Sequence, residues 1–383
     1  MYEKYREKII TDRRYLHEHP ELSFEEFETA QYIRDILTTL KHCEVVELTK
    51  TSTVGIFNKG KGKKLGLRAD IDALPIQEAH NIEFKSTIDG KMHACGHDGH
   101  TSILLGVARY INDHIEEFDN EVNCIFQHAE EKIPGGAREM VATGFFDDFD
   151  FIYGQHLMST EKTGVIDIKS GPVTANSDKY TIKIQGKGGH ASQPEHSIDP
   201  IVVGAAFLLS LQTIVSRQVS PFDPVVLSNT VFQAGVTGAE NIIPDSATLG
   251  GSVRTTTIEN RKYVKSKIEK QLKHVCEMYN ASYELDYTVG YAAVQNNAEK
   301  VEYVKSVVNR IYPNNIVTRK PLMGGEDFSA FSETVPSVYA IIGSGGDTPG
   351  QYDYPHHHPK FALDEDSFEY GFNIMVEVMK SYE

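Results

Sequence analysis

The stretch Lys64-Leu65-Gly66-Leu67-Arg68-Ala69-Asp70-Ile71-Asp72 decides the fold class of this chain, because it is a largely apolar run that ends in acids. Such a run predicts a strand that is buried on both faces, as strands of parallel sheets are. Two further strands are predicted at 122–126 and 149–153, with helical patterns near 101–112 and 136–143. This alternation favours an α/β domain with a mostly parallel central sheet.

The pattern changes near residue 175, where Tyr180-Thr181-Ile182-Lys183-Ile184-Gln185 alternates apolar and polar residues as a half-exposed strand does. The predicted order from there is βαββαβ, a compact α+β unit of the ferredoxin type. Its remaining elements are a helix near 199–217 capped by Asp199-Pro200, strands at 225–234 and 247–255, a helix at 258–279 and a strand at 282–287. We therefore expect a small domain at 175–289, inserted into a larger α/β domain made of 1–174 and 290–383.

Composition excludes several classes of partner. The chain has 383 residues, enough for two domains, and a formal net charge of −16, which repels phosphate backbones and argues against nucleic acid. The sequence predicts no apolar run close to the ~18 residues that a membrane-spanning helix needs, so we expect no membrane partner. The charged start, Met1-Tyr2-Glu3-Lys4-Tyr5, lacks the apolar core of a signal peptide. Four scattered cysteines are too few for a disulfide framework, and a cytoplasmic location is expected.

The strongest chemical signal is Met92-His93-Ala94-Cys95-Gly96-His97-Asp98-Gly99-His100. Thiolate, imidazole and carboxylate are the ligands that borderline metals prefer, and all three occur within this segment. The alternative is a polar turn before a helix, with Asp98 or His100 as its cap. The density of ligand types favours a metal site.

Further ligand types follow predicted strands. The segment 127–131 carries two adjacent glutamates at a sheet edge where α/β active sites lie, and one of them could bind a metal while the other handles protons. His156 follows another strand, and 356–358 are three histidines between prolines. Asp70 and Asp72 close the first strand, where a buried acid needs a partner such as a metal-bound histidine. Taken singly, each feature also fits a structural role.

The order of these motifs resembles the M20 metallopeptidase family, and within it the amidohydrolase branch of aminoacylases, hippurate hydrolases, N-acetyl-diaminopimelate deacetylases and plant auxin-conjugate hydrolases. The resemblance covers nearly the whole chain. Its pieces are Leu16-His17-Glu18-His19-Pro20-Glu21-Leu22, Arg68-Ala69-Asp70-Ile71-Asp72-Ala73-Leu74-Pro75, Met92-His93-Ala94-Cys95-Gly96-His97-Asp98, Glu130-Glu131, Gly154-Gln155-His156, Gly188-Gly189-His190-Ala191, Asn241-Ile242-Ile243-Pro244-Asp245, Gly324-Gly325-Glu326-Asp327-Phe328 and His357-His358-Pro359. It implies a catalytic metal-binding domain, 1–174 and 290–383, split by a ferredoxin-like lid, 175–289, that serves in dimerisation.

The resemblance also implies roles for single residues. The implied metal ligands are Cys95, His97, Glu131, His156 and His357. His357 is chosen over its two histidine neighbours because it lies two residues before Pro359. Glu130 resembles the general base, and Asp70 resembles its supporting acid near a metal-bound histidine. Cys95 stands where other branches of the family place a bridging carboxylate.

The groups that would bind substrate are implied on the lid. His190 resembles a lid histidine that reaches the carbonyl of the substrate. In a dimer, this would be the carbonyl of a substrate bound to the partner subunit. Asn241 and Arg254 resemble lid groups that hold the substrate's carboxylate, the arginine by a bidentate contact. We therefore expect an N-acyl amino acid as the small-molecule substrate, and a homodimer formed through the lid.

The implied mechanism is hydrolysis of the amide bond by a water that two divalent metal ions share. Cys95 would bridge the ions, His97 and His156 would complete one of them, and Glu131 and His357 the other. The general base would take a proton from the water as it attacks the amide carbon. A thiolate ligand favours zinc, and manganese, cobalt or nickel could replace it.

Other functions stay open on sequence alone. A dipeptidase or a desuccinylase of the same superfamily would share this chemistry, although its branch tends to carry carboxylates where this chain has the Cys-Gly-His segment. A non-catalytic ligand-binding protein would need only a vestigial metal site, whereas every implied ligand and the base are present. A metal-storage or scaffold role would need fewer than the five implied ligands.

Overall fold

The computed structural model of the chain describes residues 1–348, 350 and 352–383. These residues form two compact units. The larger unit comprises Met1–Val173, Val294–Lys320 and Asp327–Glu383, and the smaller comprises Thr174–Ala293 and Pro321–Glu326. The predicted larger domain, 1–174 and 290–383, also contains Thr174, 290–293 and 321–326, which the structure groups with the smaller unit.

The helices of the described residues include all the predicted ones. They are α1 Arg6–Glu18, α2 Phe27–Thr38, α3 His97–Asp113, α4 Gly136–Val141, α5 Pro200–Thr213, α6 Ile258–Met278, α7 Ala298–Ile311, α8 Ser329–Thr334 and α9 Phe368–Lys380. A π-helical turn, Ile214–Gln218, continues α5. The predicted cap of α5 is confirmed, because the Asp199 side chain accepts a hydrogen bond of 2.8 Å from the Ile201 backbone N–H.

The strands of the described residues fall into two main sheets and two short ribbons. They are β1 Cys43–Glu47, β2 Thr53–Phe57, β3 Lys64–Asp70, β4 Glu121–Gln127, β5 Phe151–Lys162, β6 Ile166–Asp167, β7 Gly171–Pro172, β8 Asn176–Gln185, β9 Gly189–His190, β10 Val225–Ala234, β11 Ile242–Ile243, β12 Ser246–Thr255, β13 Ser282–Thr288, β14 Gln295–Asn296, β15 Ile316–Val317 and β16 Ser337–Gly345.

The larger unit is built on a sheet whose described strands run in the order β1-β2-β4-β3-β5-β16-β6-β15. The central strands β4, β3, β5 and β16 are parallel. The predicted α/β class with a mostly parallel sheet is confirmed. At one edge β1 and β2 pair antiparallel, and β2 pairs antiparallel with β4, which the sequence analysis did not expect.

The parallel strands bring their carboxyl ends to one edge of the sheet. Asp70, the last residue of β3, is in register with Gln127, the last residue of β4. β5 passes beside β3 but continues beyond His156 to Lys162, so the prediction that His156 lies at a strand end is wrong. α3 begins at His97, so part of the Cys/His-rich segment forms its first turn.

The smaller unit has its own core and its own sheet. β10, β12, β8 and β13 pair antiparallel in that order, with α5 and α6 in the predicted βαββαβ sequence. Apolar residues of α5, α6 and the sheet, such as Phe207, Ile268 and Leu249, are fully buried together. This arrangement matches the predicted ferredoxin type, in which two helices cover one face of an antiparallel sheet.

One helix is more apolar than the sequence analysis expected. Pro200–Gln218 is 19 residues long with a mean hydropathy of 1.5, so the expectation that no apolar run approaches the length of a membrane span is wrong. One-third of this apolar window, 33%, is buried within the chain. A single helix of this kind is weak evidence for a membrane, since core helices of other proteins have the same length and composition.

Candidate metal centre and active site

Cys95 and His97 flank a glycine that the backbone requires. Gly96 has φ +91°, a left-handed conformation that side chains disfavour, and a Cβ atom there would lie 3.1 Å from a Leu363 methyl group. The glycine lets the chain turn directly into the first turn of α3. Cys95 therefore lies just before the helix and His97 is its first residue.

His97 presents one ring nitrogen to the site. Its Nδ1 donates to the backbone carbonyl of Asp72 at 2.9 Å and lies 3.2 Å from a carboxylate oxygen of the same residue. Its Nε2 is buried without a hydrogen-bond partner among the described residues. Carboxylate oxygens of Asp70 and Glu131 lie 3.7 and 4.0 Å from this Nε2. A cation would fit here, because it would satisfy both the orphaned nitrogen and the acids.

The electrostatics of His97 agree with this geometry. Burial lowers the pKa of a histidine, but Asp70, Asp72 and Glu131 together raise the pKa of His97 to about 10. In the metal-free protein, therefore, a proton occupies the nitrogen that faces the acids. A divalent cation would replace that proton.

A second group of ligand atoms surrounds Cys95. Its Sγ lies 3.5 Å from Nε2 of His156, whose Nδ1 donates to the Leu157 carbonyl at 2.8 Å. The neutral ring of His156 therefore directs the lone pair of Nε2 towards Cys95, where it could bind a cation. Nε2 of His357 lies 3.2 Å from Oε1 of Glu131. Ligand atoms of Cys95, Glu131 and His357 all lie within 4.8 Å of one another.

His357 is held beside Cys95 by its backbone. Its N–H donates to the carbonyl of Ala94 at 2.8 Å, and its φ is +64°, which is uncommon for a residue other than glycine. The neighbouring Glu131 carboxylate raises the pKa of His357, although partial burial opposes it. The register that the sequence analysis chose therefore brings His357, among the three consecutive histidines, next to Glu131.

Two neighbouring histidines have no lone pair to offer. The Leu157 N–H donates to Nε2 of His100 at 2.9 Å, so the proton of that ring is on Nδ1, which lies 2.6 Å from Asp70. The Ser159 N–H likewise donates to Nε2 of His356 at 3.2 Å. Burial and neighbouring histidines lower the pKa of His356 to about 3, which keeps the ring neutral.

Asp70 is held by charges that the sequence analysis did not assign. The fully buried Arg68 donates from Nη1 to Asp70 at 2.7 Å and from Nη2 to Asp327 at 3.0 Å. Burial would raise the pKa of Asp70, but His97, Arg68 and His100 lower it well below its usual value. The carboxylate hydrogen-bonded to His97 belongs to Asp72, two residues further along. The signal for Arg68 was a lone cation inside an apolar strand.

The two glutamates follow β4 on a constrained turn. Ala129, which precedes them, has φ +51°, and its N–H donates to a carboxylate oxygen of Glu26 at 2.7 Å. The N–H of Glu131 donates to Asp72 at 3.0 Å. These bonds fix the turn that carries both carboxylates. Ligand atoms of His97, Glu130 and Glu131 lie within 4.8 Å of one another. Glu26, which the sequence analysis missed, has its pKa raised by burial to about 7.

The three residues assigned to substrate binding all lie in the smaller unit. His190 on β9 is exposed and pairs with Ile242 of β11, next to the exposed Asn241. The Ser192 N–H donates to Nδ1 of His190 at 3.2 Å, so the neutral ring carries its proton on Nε2. Arg254 is half-buried on β12, where its Nη1 donates to the Ser177 hydroxyl. Burial lowers the pKa of Arg254.

The chain matches a known family over most of its length. A model of peptidase family M20/M25/M40 matches residues 66–381. The chain belongs to this family. This confirms the resemblance drawn from the motif order. Membership, together with the amidohydrolases among its relatives, makes the protein a hydrolase of amide bonds.

Two curated relatives and one solved structure are similar over most of the chain. The N-acyl-L-amino acid amidohydrolase of Geobacillus stearothermophilus is 44% identical over 292 residues, 76% of this chain and 78% of that protein. The hippurate hydrolase of Campylobacter jejuni is 39% identical over 340 residues, 88% of each chain. A dinuclear metal-binding peptidase of the M20 family from Bacillus subtilis superposes with a TM-score of 0.85 at 33% identity, covering 99% of this chain and 98% of that one.

Proposed function

We propose that this protein hydrolyses the amide bond of N-acyl amino acids, with two divalent metal ions in the larger unit and Glu130 as general base. One observation carries the proposal. A thiol, three imidazoles and a carboxylate converge within overlapping groups of 4.8 Å, beside a second carboxylate. The names of the relatives, an N-acyl amino acid amidohydrolase and a hippurate hydrolase, support the substrate class.

We assign Cys95, Glu131 and His357 to one ion, and Cys95, His156 and His97 to the other. The thiolate favours zinc, with manganese, cobalt or nickel as substitutes. When bound, such ions lower the pKa of water from ~15.7 towards ~7 and polarise a carbonyl. Support comes from the dinuclear relative and from the unpartnered, buried Nε2 of His97.

The chain's own groups move protons and orient the substrate. Glu130 takes the proton of the attacking water and returns it to the departing amine. Asp70, kept ionised by Arg68, balances the charge of the neighbouring imidazoles. The Nε2–H of His190 is suited to donate to the substrate carbonyl, since its Nδ1 is already an acceptor. Arg254 is assigned to the substrate's carboxylate, with Asn241 as a further polar contact.

We also propose that the protein is a homodimer formed through the smaller unit, which acts as a lid. This unit exposes large apolar side chains: Leu209 of α5 is 75% exposed, and Val236, after β10, is 77% exposed. β10 is at the edge of its sheet and pairs only with β12 among the described residues. An apolar helix face beside an open sheet edge suits a second copy of the same surface.

A cytoplasmic location is proposed because all four cysteines are free.

The proposal is tested by release of free amine from N-acetyl and N-benzoyl amino acids, with dipeptides and N-succinyl amino acids in the same panel. Chelated protein is compared with protein reloaded with zinc or manganese. We expect release from the N-acyl amino acids by reloaded protein only. Preference for dipeptides or N-succinyl substrates would favour the peptidase or desuccinylase alternative. No release from folded, metal-loaded protein would favour a ligand-binding role.

A further inference from the structure

His356 lies next to the proposed ligand His357 but makes different contacts. Its Nε2 accepts the Ser159 backbone N–H at 3.2 Å. A neutral imidazole that accepts at one nitrogen carries its proton at the other. That other nitrogen, Nδ1, lies 3.7 Å from Sγ of Cys95, within hydrogen-bond range of sulfur.

The ring has little freedom to exchange these roles. It packs against Phe361, with ring centroids 4.6 Å apart, and against His156 at 5.1 Å. If the proton moved to Nε2, the N–H of the ring would face the N–H of Ser159, and the hydrogen bond between them would be lost. Although His356 lies within 4.8 Å of Cys95 and His156, its Nδ1 therefore offers a proton and no lone pair.

We propose that His356 is a positioning residue that donates an N–H···S hydrogen bond to the Cys95 thiolate and thereby tunes it as a metal ligand. The inference rests on the proposed metal centre. The geometry supports this role, because the Ser159 N–H and the packing against Phe361 and His156 hold Nδ1 of His356 towards the sulfur of Cys95. A hydrogen bond to sulfur stabilises the thiolate and withdraws electron density from it.

The test uses the full chain loaded with cobalt(II), whose thiolate-to-metal charge-transfer absorption reports directly on the sulfur. His356→Leu removes the donor, and His356→Gln keeps a polar contact near Ser159 without an N–H at the Nδ1 position. Both should move the absorption to longer wavelength and weaken cobalt binding by about 10–100-fold. His356→Asn places an amide N–H close to the Nδ1 position and should restore both properties.

His358→Leu is the matched control on the same loop. Its Nδ1 accepts the Lys360 N–H, and its ring stacks on Tyr354 at 4.5 Å, so the absorption and affinity should stay native. A native absorption and affinity in both His356→Leu and His356→Gln would overturn the inference. Equal losses in the Asn, Gln and Leu variants would also overturn it, since a metal-ligand role would then be indicated.

Two further outcomes separate this inference from the proposed function. If the native chain shows no thiolate charge transfer, Cys95 is not a ligand, and the inference fails together with the proposed metal centre. If the native absorption and its predicted changes are present but no amide is cleaved, the inference stands and the proposed hydrolysis alone is wrong.

Discussion

Nδ1 of His97 donates a hydrogen bond of 2.9 Å to the backbone carbonyl of Asp72, while the opposite ring nitrogen has no partner among the described residues. The carbonyl fixes the tautomer, so the open nitrogen is the one that faces the acids. His156 is arranged in the same way, with Nδ1 on the Leu157 carbonyl and Nε2 towards Cys95. Backbone carbonyls thus orient both imidazoles for a cation.

Loss of the Asp72 side chain should loosen this arrangement. Its carboxylate contacts Nδ1 of His97 at 3.2 Å and accepts the Glu131 N–H at 3.0 Å, so it steadies two proposed ligands. We expect Asp72→Ala to weaken metal binding by about 10–100-fold. Metal content after dialysis against graded chelator measures this. Ser23→Ala, which removes only a hydroxyl that bonds the same carboxylate, is the control. Native affinity in Asp72→Ala would contradict the prediction.

Substitution of the two adjacent glutamates, one at a time, should distinguish the residue that transfers protons from the residue that binds metal. Glu130→Gln keeps the size of the side chain but removes the base, so kcat should fall by about 10²–10⁴ with unchanged metal content. Glu131→Gln is the counterpart, because it should lose metal as well as activity. The measurement pairs initial rates with metal analysis of the same samples. Full activity in Glu130→Gln would exclude its role as the proton shuttle.

The stability of the metal-free protein should depend on pH through His97. Folding raises the pKa of this histidine from 6.5 to about 10, which means that folding favours the protonated ring. The resulting stabilisation is fully present below pH 6.5 and is lost as the pH rises towards 10. We expect the Tm of the metal-free protein to fall over that window. Metal-free His97→Gln should show a smaller fall, and an identical fall in both proteins would contradict the assignment.

Periodicity predicted most of the fold, and its failures have physical causes. α1 was missed because most of its buried positions are polar: Asp12, Arg13 and His17 are buried beside the apolar Ile9 and Leu16. Each is paired, Asp12 with Arg109 and both Arg13 and His17 with Asp98. Buried ion pairs of this kind cannot be recognised from local sequence, since their partners lie far along the chain.

The sequence motifs predicted which residues belong to the site. They did not predict the tertiary contacts that orient those residues. The sequence nominated His97 and the two glutamates, but it could not show that Asp72, not Asp70, holds the His97 ring. It chose His357 over His356 only from the position of His357 two residues before Pro359, since the two histidines are chemically identical neighbours. Their difference comes from one backbone amide, that of Ser159.

Arg254 should set specificity for a carboxylate. Arg254→Lys keeps the charge but loses the two-pronged donor, so KM for N-acyl amino acids should rise by about 10–100-fold with a smaller change in kcat. The comparison is an N-acyl amino acid amide, which lacks the carboxylate and should have the same KM in both proteins. A KM that rises equally for both substrates would point to a structural role, for example through the Ser177 hydroxyl.

Disruption of the apolar face of the smaller unit should separate the proposed subunits. Leu209 is 75% exposed on α5, so a charge there should cost little in the isolated chain and much in an apolar interface. We expect Leu209→Asp to be monomeric by light scattering, and to lose activity if the partner's His190 completes the site. Lys270→Asp, at an exposed position of α6, is the control and should remain dimeric. A native protein that is monomeric at working concentration would contradict the proposed homodimer. A Leu209→Asp monomer with full activity would instead limit the dimer to a role outside catalysis.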